Sequence, residues 1–172
     1  MINFITLLRI ILLLPLAWVI LMGGEHSWAA AMLFALGGIT DWADGWLARR
    51  MHKTSTFGAM LDQICDKIFI VAVMVLIVAA GMLQNLMLVP VLLIIAREFA
   101  VAGLREYTAQ QGRVIAVDKL GKIKTAVQFI ALFLILIPQQ EILGHVGALL
   151  LWLSAMLAWI SAARYFHAIK LH

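Results

Sequence analysis

The sequence predicts an all-α integral membrane protein with six transmembrane helices, folded as one membrane-embedded domain over residues 1–172. Three features carry that expectation. Of the 172 residues 65% are hydrophobic, and the mean hydropathy is +1.03, whereas an ordinary soluble domain is roughly half apolar. Apolar runs cover 4–22, 28–48, 58–80, 86–108, 120–138 and 145–168, each close to the ~20 residues that cross a hydrocarbon layer. The basic residues cluster at alternate ends of those runs.

Taken in order, the first run begins without a basic flank, carries Arg9 inside it and has no small-x-small cleavage site before Gly23-Gly24. Helix 1 is therefore expected to be retained rather than removed as a signal peptide. Turn chemistry separates the runs at Gly23-Gly24-Glu25-His26-Ser27, at Gly81 to Asn85 and at Pro138 to Gly144, and none of these three breaks contains lysine or arginine. All 13 basic residues lie at or near the opposite helix ends, which the positive-inside rule places in the cytoplasm. Both termini and the segment from Asp41 to Asp66 are then cytoplasmic, in a protein of the cytoplasmic (inner) membrane. Pro15 and Pro90 are expected to kink helices 1 and 4.

Composition excludes several classes. A net charge of +4 in so apolar a chain marks a cytoplasmic face and contact with anionic membrane lipids, not nucleic acid. Cys65 is the single cysteine, which rules out an internal disulfide and a cysteine-built zinc site. The five histidines, at 26, 52, 145, 167 and 172, show no ligand spacing. The six tryptophans suit the membrane interfaces. No long internal repeat or low-complexity tract is visible, which disfavours an inverted-repeat transporter.

The chemistry concentrates in Asp41-x2-Asp44-Gly45-x2-Ala48-Arg49-x8-Gly58-x3-Asp62-x3-Asp66. An aspartate at the centre of a lipid-embedded helix costs about 2.5–3.5 kcal/mol, so four together require neutralisation. Asp41, Asp44, Gly45 and Ala48 fall along one stripe of helix 2, and Gly58, Asp62 and Asp66 along one stripe of helix 3. Packing those stripes together makes an oxygen-lined slot suited to a hard cation, magnesium or manganese, and four carboxylates balance two divalent ions. The plainer alternative, aspartates that cap helices or pair with Arg49, Arg50, Lys53 and Lys67, accounts for one or two of them but poorly for four.

This 26-residue pattern, with eight fixed positions, resembles the signature of the CDP-alcohol phosphotransferases, membrane enzymes that move a phosphate-linked group from a CDP-alcohol to a second alcohol. Every fixed position is present. The resemblance implies the six-helix CDP-alcohol phosphotransferase fold, a homodimer and two divalent cations, Mg2+ or Mn2+. It implies Asp41, Asp44, Asp62 and Asp66 as metal ligands, with Asp66 also the catalytic base. Gly45, Ala48, Arg49 and Gly58 would accommodate the nucleotide. Asn3, Thr6 and Arg9, every third residue, resemble an N-terminal element that approaches the nucleotide in parts of the family; Asn3 equally suits a helix cap.

A second block runs through Ala96-Arg97-Glu98, Gly103-Leu104-Arg105-Glu106 and Gly121-Lys122-Ile123-Lys124-Thr125. It resembles the branch whose donor is CDP-diacylglycerol and whose acceptor is sn-glycerol 3-phosphate, and by that resemblance Arg97, Arg105, Lys122 and Lys124 hold the acceptor phosphate. Lys122 and Lys124 point about 200° apart on a regular helix, and snorkelling to lipid headgroups explains either one alone equally well. Glu98 and Glu106 each follow an arginine, positions suited to fixing its orientation. Arg113 and Lys119 read as loop charges. Rival readings keep the chemistry and change the acceptor to inositol phosphate or serine, or replace the enzyme by a divalent-cation transporter. The transporter predicts carboxylates leading through the bilayer, whereas the four aspartates gather at one end.

Overall fold

In a computed structural model, the backbone is described for residues 2–22, 28–51, 56–112, 119–138 and 141–170. The side chains of 2–7, 41–51, 56, 57, 59, 119, 141 and 168–170 are not among those described. The described backbone is helical throughout its long elements: α1 (Ile2–Met22), α2 (Trp28–Met51), α3 (Thr56–Ala79), α4 (Leu88–Gln110), α5 (Lys119–Leu136) and α6 (Glu141–Lys170), with a 3-10 turn at Asn85–Met87 before α4. These six helices follow the six apolar runs to within four residues at each end. Among the described residues two stretches, Asn85–Gln110 and Ile142–His167, are long and apolar enough to cross a membrane, and Leu8–Met22 and Trp28–Thr40 are shorter apolar segments.

Helix ends obey local rules. After α3, Gly81 adopts φ 76°, and the amides of Gly81 and Met82 donate to the carbonyls of Val78 (3.0 Å) and Ile77 (3.1 Å). This is a Schellman cap, which needs a left-handed residue that glycine supplies without steric cost. Pro90 corrects an expectation: it is the third residue of α4, not an interior kink. A first-turn proline has no intrahelical hydrogen bond to lose, so the helix accepts it.

The chain divides into two compact units, residues 1–83 with 133–144, and residues 84–132 with 145–172. In the first unit α1 packs against both α2 and α3. Its interior includes Leu16, Ile20, Ala31, Phe34, Phe69, Val73, Met74 and Ile77. Phe34 and Phe69 stack with ring centroids 5.9 Å apart and planes 7° from parallel. The same Phe69 ring lies over Gly37 of α2. A Cβ at Gly37 would strike Phe69 Cζ, with Cε1 at 3.0 Å and Cε2 at 3.1 Å. Gly37→Val is therefore expected to destabilise the unit by about 1–3 kcal/mol through overpacking, read as a lower unfolding midpoint in detergent; a variant as stable as the parent would refute this packing.

In the second unit α4, α5 and α6 are joined by side-chain bonds: Trp159 Nε1 donates to the Leu93 carbonyl (3.1 Å), and Ser154 Oγ to the Lys124 carbonyl (3.1 Å). Val91, Ile94, Val101, Leu132, Leu151, Ala155, Ala158 and Ala162 are buried. Beside this apolar interior, several polar side chains are buried and many large apolar ones are exposed. Arg9, Arg97, Lys124, Gln128, Ser154 and Ser161 are buried, while Leu14, Trp18, Leu92, Phe99, Ile142, Leu149 and Met156 face outward. Outward apolar side chains and inward polar ones are what a hydrocarbon solvent selects.

Candidate active site

On α3 the helical register delivers what the spacing foretold. Gly58 is buried, and Asp62 and Asp66 follow at successive steps of four with their carboxylates about half exposed, at 45% and 47%. Cys65, between them in sequence, turns to the interior. Both carboxylates meet one cation from α1: Arg9 Nη2 lies 3.9 Å from Asp62 Oδ1, and Nη1 lies 3.8 Å from Asp66 Oδ1. Arg9 is 1% exposed, among the largest fully buried side chains described. Two carboxylates at i,i+4 repel each other; the Arg9 guanidinium offsets both charges, each of its terminal nitrogens facing one carboxylate at ion-pair distance.

Asp41, Asp44, Gly45, Ala48 and Arg49 all fall on α2 in helical register, but their side chains lie outside the described residues, as do those of Asn3 and Thr6. Among the described residues no three histidine, cysteine, aspartate or glutamate side chains converge. The described half of the motif is compatible with a hard divalent cation: Asp62 and Asp66 follow one another at a step of four on α3, offer oxygen only, and are about half exposed.

The second unit holds the basic block. Arg97 is anchored on α6, its Nε donating to the Ala158 carbonyl (3.1 Å) and its Nη2 to Ser161 Oγ (3.5 Å), while its Nη1 pairs with Glu98 Oε1 (3.1 Å). Lys124 of α5 pairs with the same Glu98 oxygen. Arg97 and Lys124 are thus brought together, both buried, through a carboxylate. Two turns along α4, the Arg105 guanidinium sits over the Tyr165 ring, 5.5 Å from its centroid, a cation–π geometry. Its Nε is buried with no hydrogen-bond partner among the described residues, a donor suited to an anion. Lys122 does not join this cluster: it is exposed where Lys124 is buried, as their 200° separation requires. Glu106 accepts from Gln110 Nε2 at 3.3 Å, so of the two glutamates only Glu98 is seen to bond the arginine before it.

Sequence reasoning left helix 6 without a role. Its contribution is Ser154, the Ala158 carbonyl, Ser161 and Tyr165, all buried on one side. A signal was present: Ser154, Ala155, Ala158, Ser161 and Ala162 form the small-residue stripe through which membrane helices pack closely.

The fold is all-helical, with a diaspartate face on one unit and a buried cation pair on the other. Residues 1–160 match the family model described as CDP-alcohol phosphatidyltransferase, and the chain belongs to that family. Its curated relatives narrow the class. A protein of Rickettsia typhi (strain Wilmington) is 35% identical over 175 residues, covering 98% of this chain and 96% of its own length. One of Bacillus subtilis (strain 168) is 36% identical over 173 residues, covering 96% and 88%. One of Wigglesworthia glossinidia brevipalpis is 36% identical over 143 residues, covering 82% and 78%. Each bears the name CDP-diacylglycerol–glycerol-3-phosphate 3-phosphatidyltransferase.

Proposed function

We propose that this chain is a phosphatidylglycerophosphate synthase, transferring the phosphatidyl group of CDP-diacylglycerol to sn-glycerol 3-phosphate to give phosphatidylglycerophosphate and CMP. The observation that carries this reading is the complete aspartate signature in a chain matched almost end to end by relatives of that name. The buried cations Arg97 and Lys124, with Arg105 nearby on α4, supply charge for a phosphorylated acceptor. Serine has no phosphate for such a cluster to hold.

Asp66 takes the proton from the acceptor hydroxyl, whose oxygen then attacks the β-phosphorus of CDP-diacylglycerol. A new P–O bond forms as the pyrophosphate bridge breaks, and CMP departs with the bridging oxygen. Asp41, Asp44, Asp62 and Asp66 hold the two divalent cations, Mg2+ or Mn2+, which when bound neutralise the pyrophosphate charge. Gly45, Ala48, Arg49 and Gly58 line the nucleotide side, where small residues permit close approach of the ligand to backbone.

The same reading gives the chain six membrane crossings, both termini and the active site on the cytoplasmic side of the inner membrane, and a homodimeric state. The one-sided distribution of lysine and arginine supports the orientation. A soluble acceptor and a lipid donor then meet at the membrane surface, with the acyl chains left in the bilayer.

The test is metal-dependent CMP release from CDP-diacylglycerol by the purified protein, with sn-glycerol 3-phosphate, inositol phosphate, serine or no acceptor. Release confined to glycerol 3-phosphate is the expected result. Release with a different acceptor alone would overturn the substrate assignment and keep the reaction class.

A further inference from the structure

We infer that Glu98 is a positioning residue of the acceptor-phosphate subsite, fixing where Lys124 stands relative to Arg97; this rests on the glycerol 3-phosphate reading above. Arg97 and Lys124 come from different helices and are 6% and 5% exposed. Two cations so buried repel each other in a low dielectric. Glu98, with a side chain 14% exposed, meets both with one oxygen: Oε1 accepts from Arg97 Nη1 at 3.1 Å and from Lys124 Nζ.

The two cations are held differently. Arg97 is pinned to α6 at two further points, the Ala158 carbonyl and Ser161 Oγ. The Lys124 backbone is tied to α6 by Ser154, whereas its flexible stem leaves the ammonium to be placed by what it bonds, and the bond to Glu98 ties it to the same carboxylate oxygen that Arg97 meets. Glu98 therefore sets the spacing between two phosphate-binding cations. It also lowers their combined charge from +2 to +1, so an anion is held by donor geometry more than by bulk charge.

The positional role and a purely electrostatic one predict opposite signs. Removing a carboxylate beside a phosphate site adds attraction and, by charge alone, lowers the KM for the phosphate substrate. Removing a positioning group misplaces Lys124 and raises it. For Glu98→Gln in the full-length protein, the expected result is a glycerol 3-phosphate KM raised about tenfold, with the CDP-diacylglycerol KM and kcat within about twofold of wild type. Glu98→Asp, which keeps the charge on a shorter stem, is expected to recover part of that loss. In a Lys124→Met background, adding Glu98→Gln is expected to change the glycerol 3-phosphate KM by less than about twofold, because the two residues act as a unit.

A glycerol 3-phosphate KM unchanged or lowered in Glu98→Gln overturns the inference, as does a loss that strikes both substrates and the unfolding midpoint together. If the glutamine variant does not fold, Glu98→Asp decides: a raised glycerol 3-phosphate KM with an unchanged donor KM supports the inference, and two unchanged KM values overturn it. Wild-type protein assayed with each acceptor separates the two failures. Turnover with another acceptor alone removes the function assigned above; turnover with glycerol 3-phosphate beside an unperturbed Glu98→Gln removes only the role of Glu98.

Discussion

Asp66→Asn is expected to lower metal-dependent CMP release by about 10²–10⁴-fold, the range that a positioned general base contributes. Asparagine keeps the shape of the side chain and its hydrogen-bonding reach but cannot accept a proton, and it weakens any cation bound there. In the proposed reaction Asp66 is the base; its carboxylate is half exposed and so open to an incoming hydroxyl, with Arg9 Nη1 3.8 Å from Oδ1. The variant is expected to unfold within a few degrees of wild type, since a half-exposed carboxylate contributes little to packing. Manganese binding followed by electron paramagnetic resonance separates the two losses: binding retained with turnover absent assigns the proton-accepting role. More than a tenth of wild-type turnover would remove Asp66 from that role.

Arg9→Met carries the second-largest expected effect. The guanidinium is buried and faces both Asp62 and Asp66, so an apolar replacement leaves two like charges a turn apart with that cation gone. Breaking a fully buried ion pair costs about 3–5 kcal/mol; because both carboxylates are half exposed, a loss of about 1–3 kcal/mol is the appropriate scale. Turnover is expected to fall at least about tenfold, because the carboxylates lose the contact that orients them. Arg9→Lys is expected to restore stability more than rate, since it keeps the charge but loses the two fixed terminal nitrogens that face the carboxylates separately. Initial rates and thermal unfolding in detergent read both quantities. Wild-type values for Arg9→Met in both would show the contact to be incidental.

Much of the architecture was legible because it is local. Each helix is a run of apolar residues ended by residues with their own turn chemistry, and Gly81 at φ 76° is the kind of stop that the run to Asn85 announced. Pro90 misled because proline has two meanings, interior kink or first-turn residue, and a few residues of uncertainty in a boundary decide between them. The stripe of Gly58, Asp62 and Asp66 could be read without coordinates because spacing of four is a property of any helix. Arg9 was visible as a charge inside the first apolar run and as one of three residues in periodic spacing; its carboxylate partners are on α3, and nothing in α1 names them.

The basic block shows the same division. Glu98 and Glu106 occupy the same place after an arginine, yet Glu98 bonds Arg97 and Lys124 while Glu106 bonds Gln110. Lys122 and Lys124 had to point apart, but which of them turned inward depended on the helices packed beside α5.

By itself, then, the sequence determined a helical membrane chain, the approximate ends of its helices, and the family whose aspartate signature it carries, because hydropathy, turn chemistry and motif spacing are short-range. Only the tertiary structure decided which charge meets which: Arg9 with two aspartates, Glu98 with two cations, and the silent face of α6 as an anchor for Arg97. Those bonds join residues as far as 64 positions apart. Their geometry is set by the packing of one helix on another, which no single helix's pattern encodes.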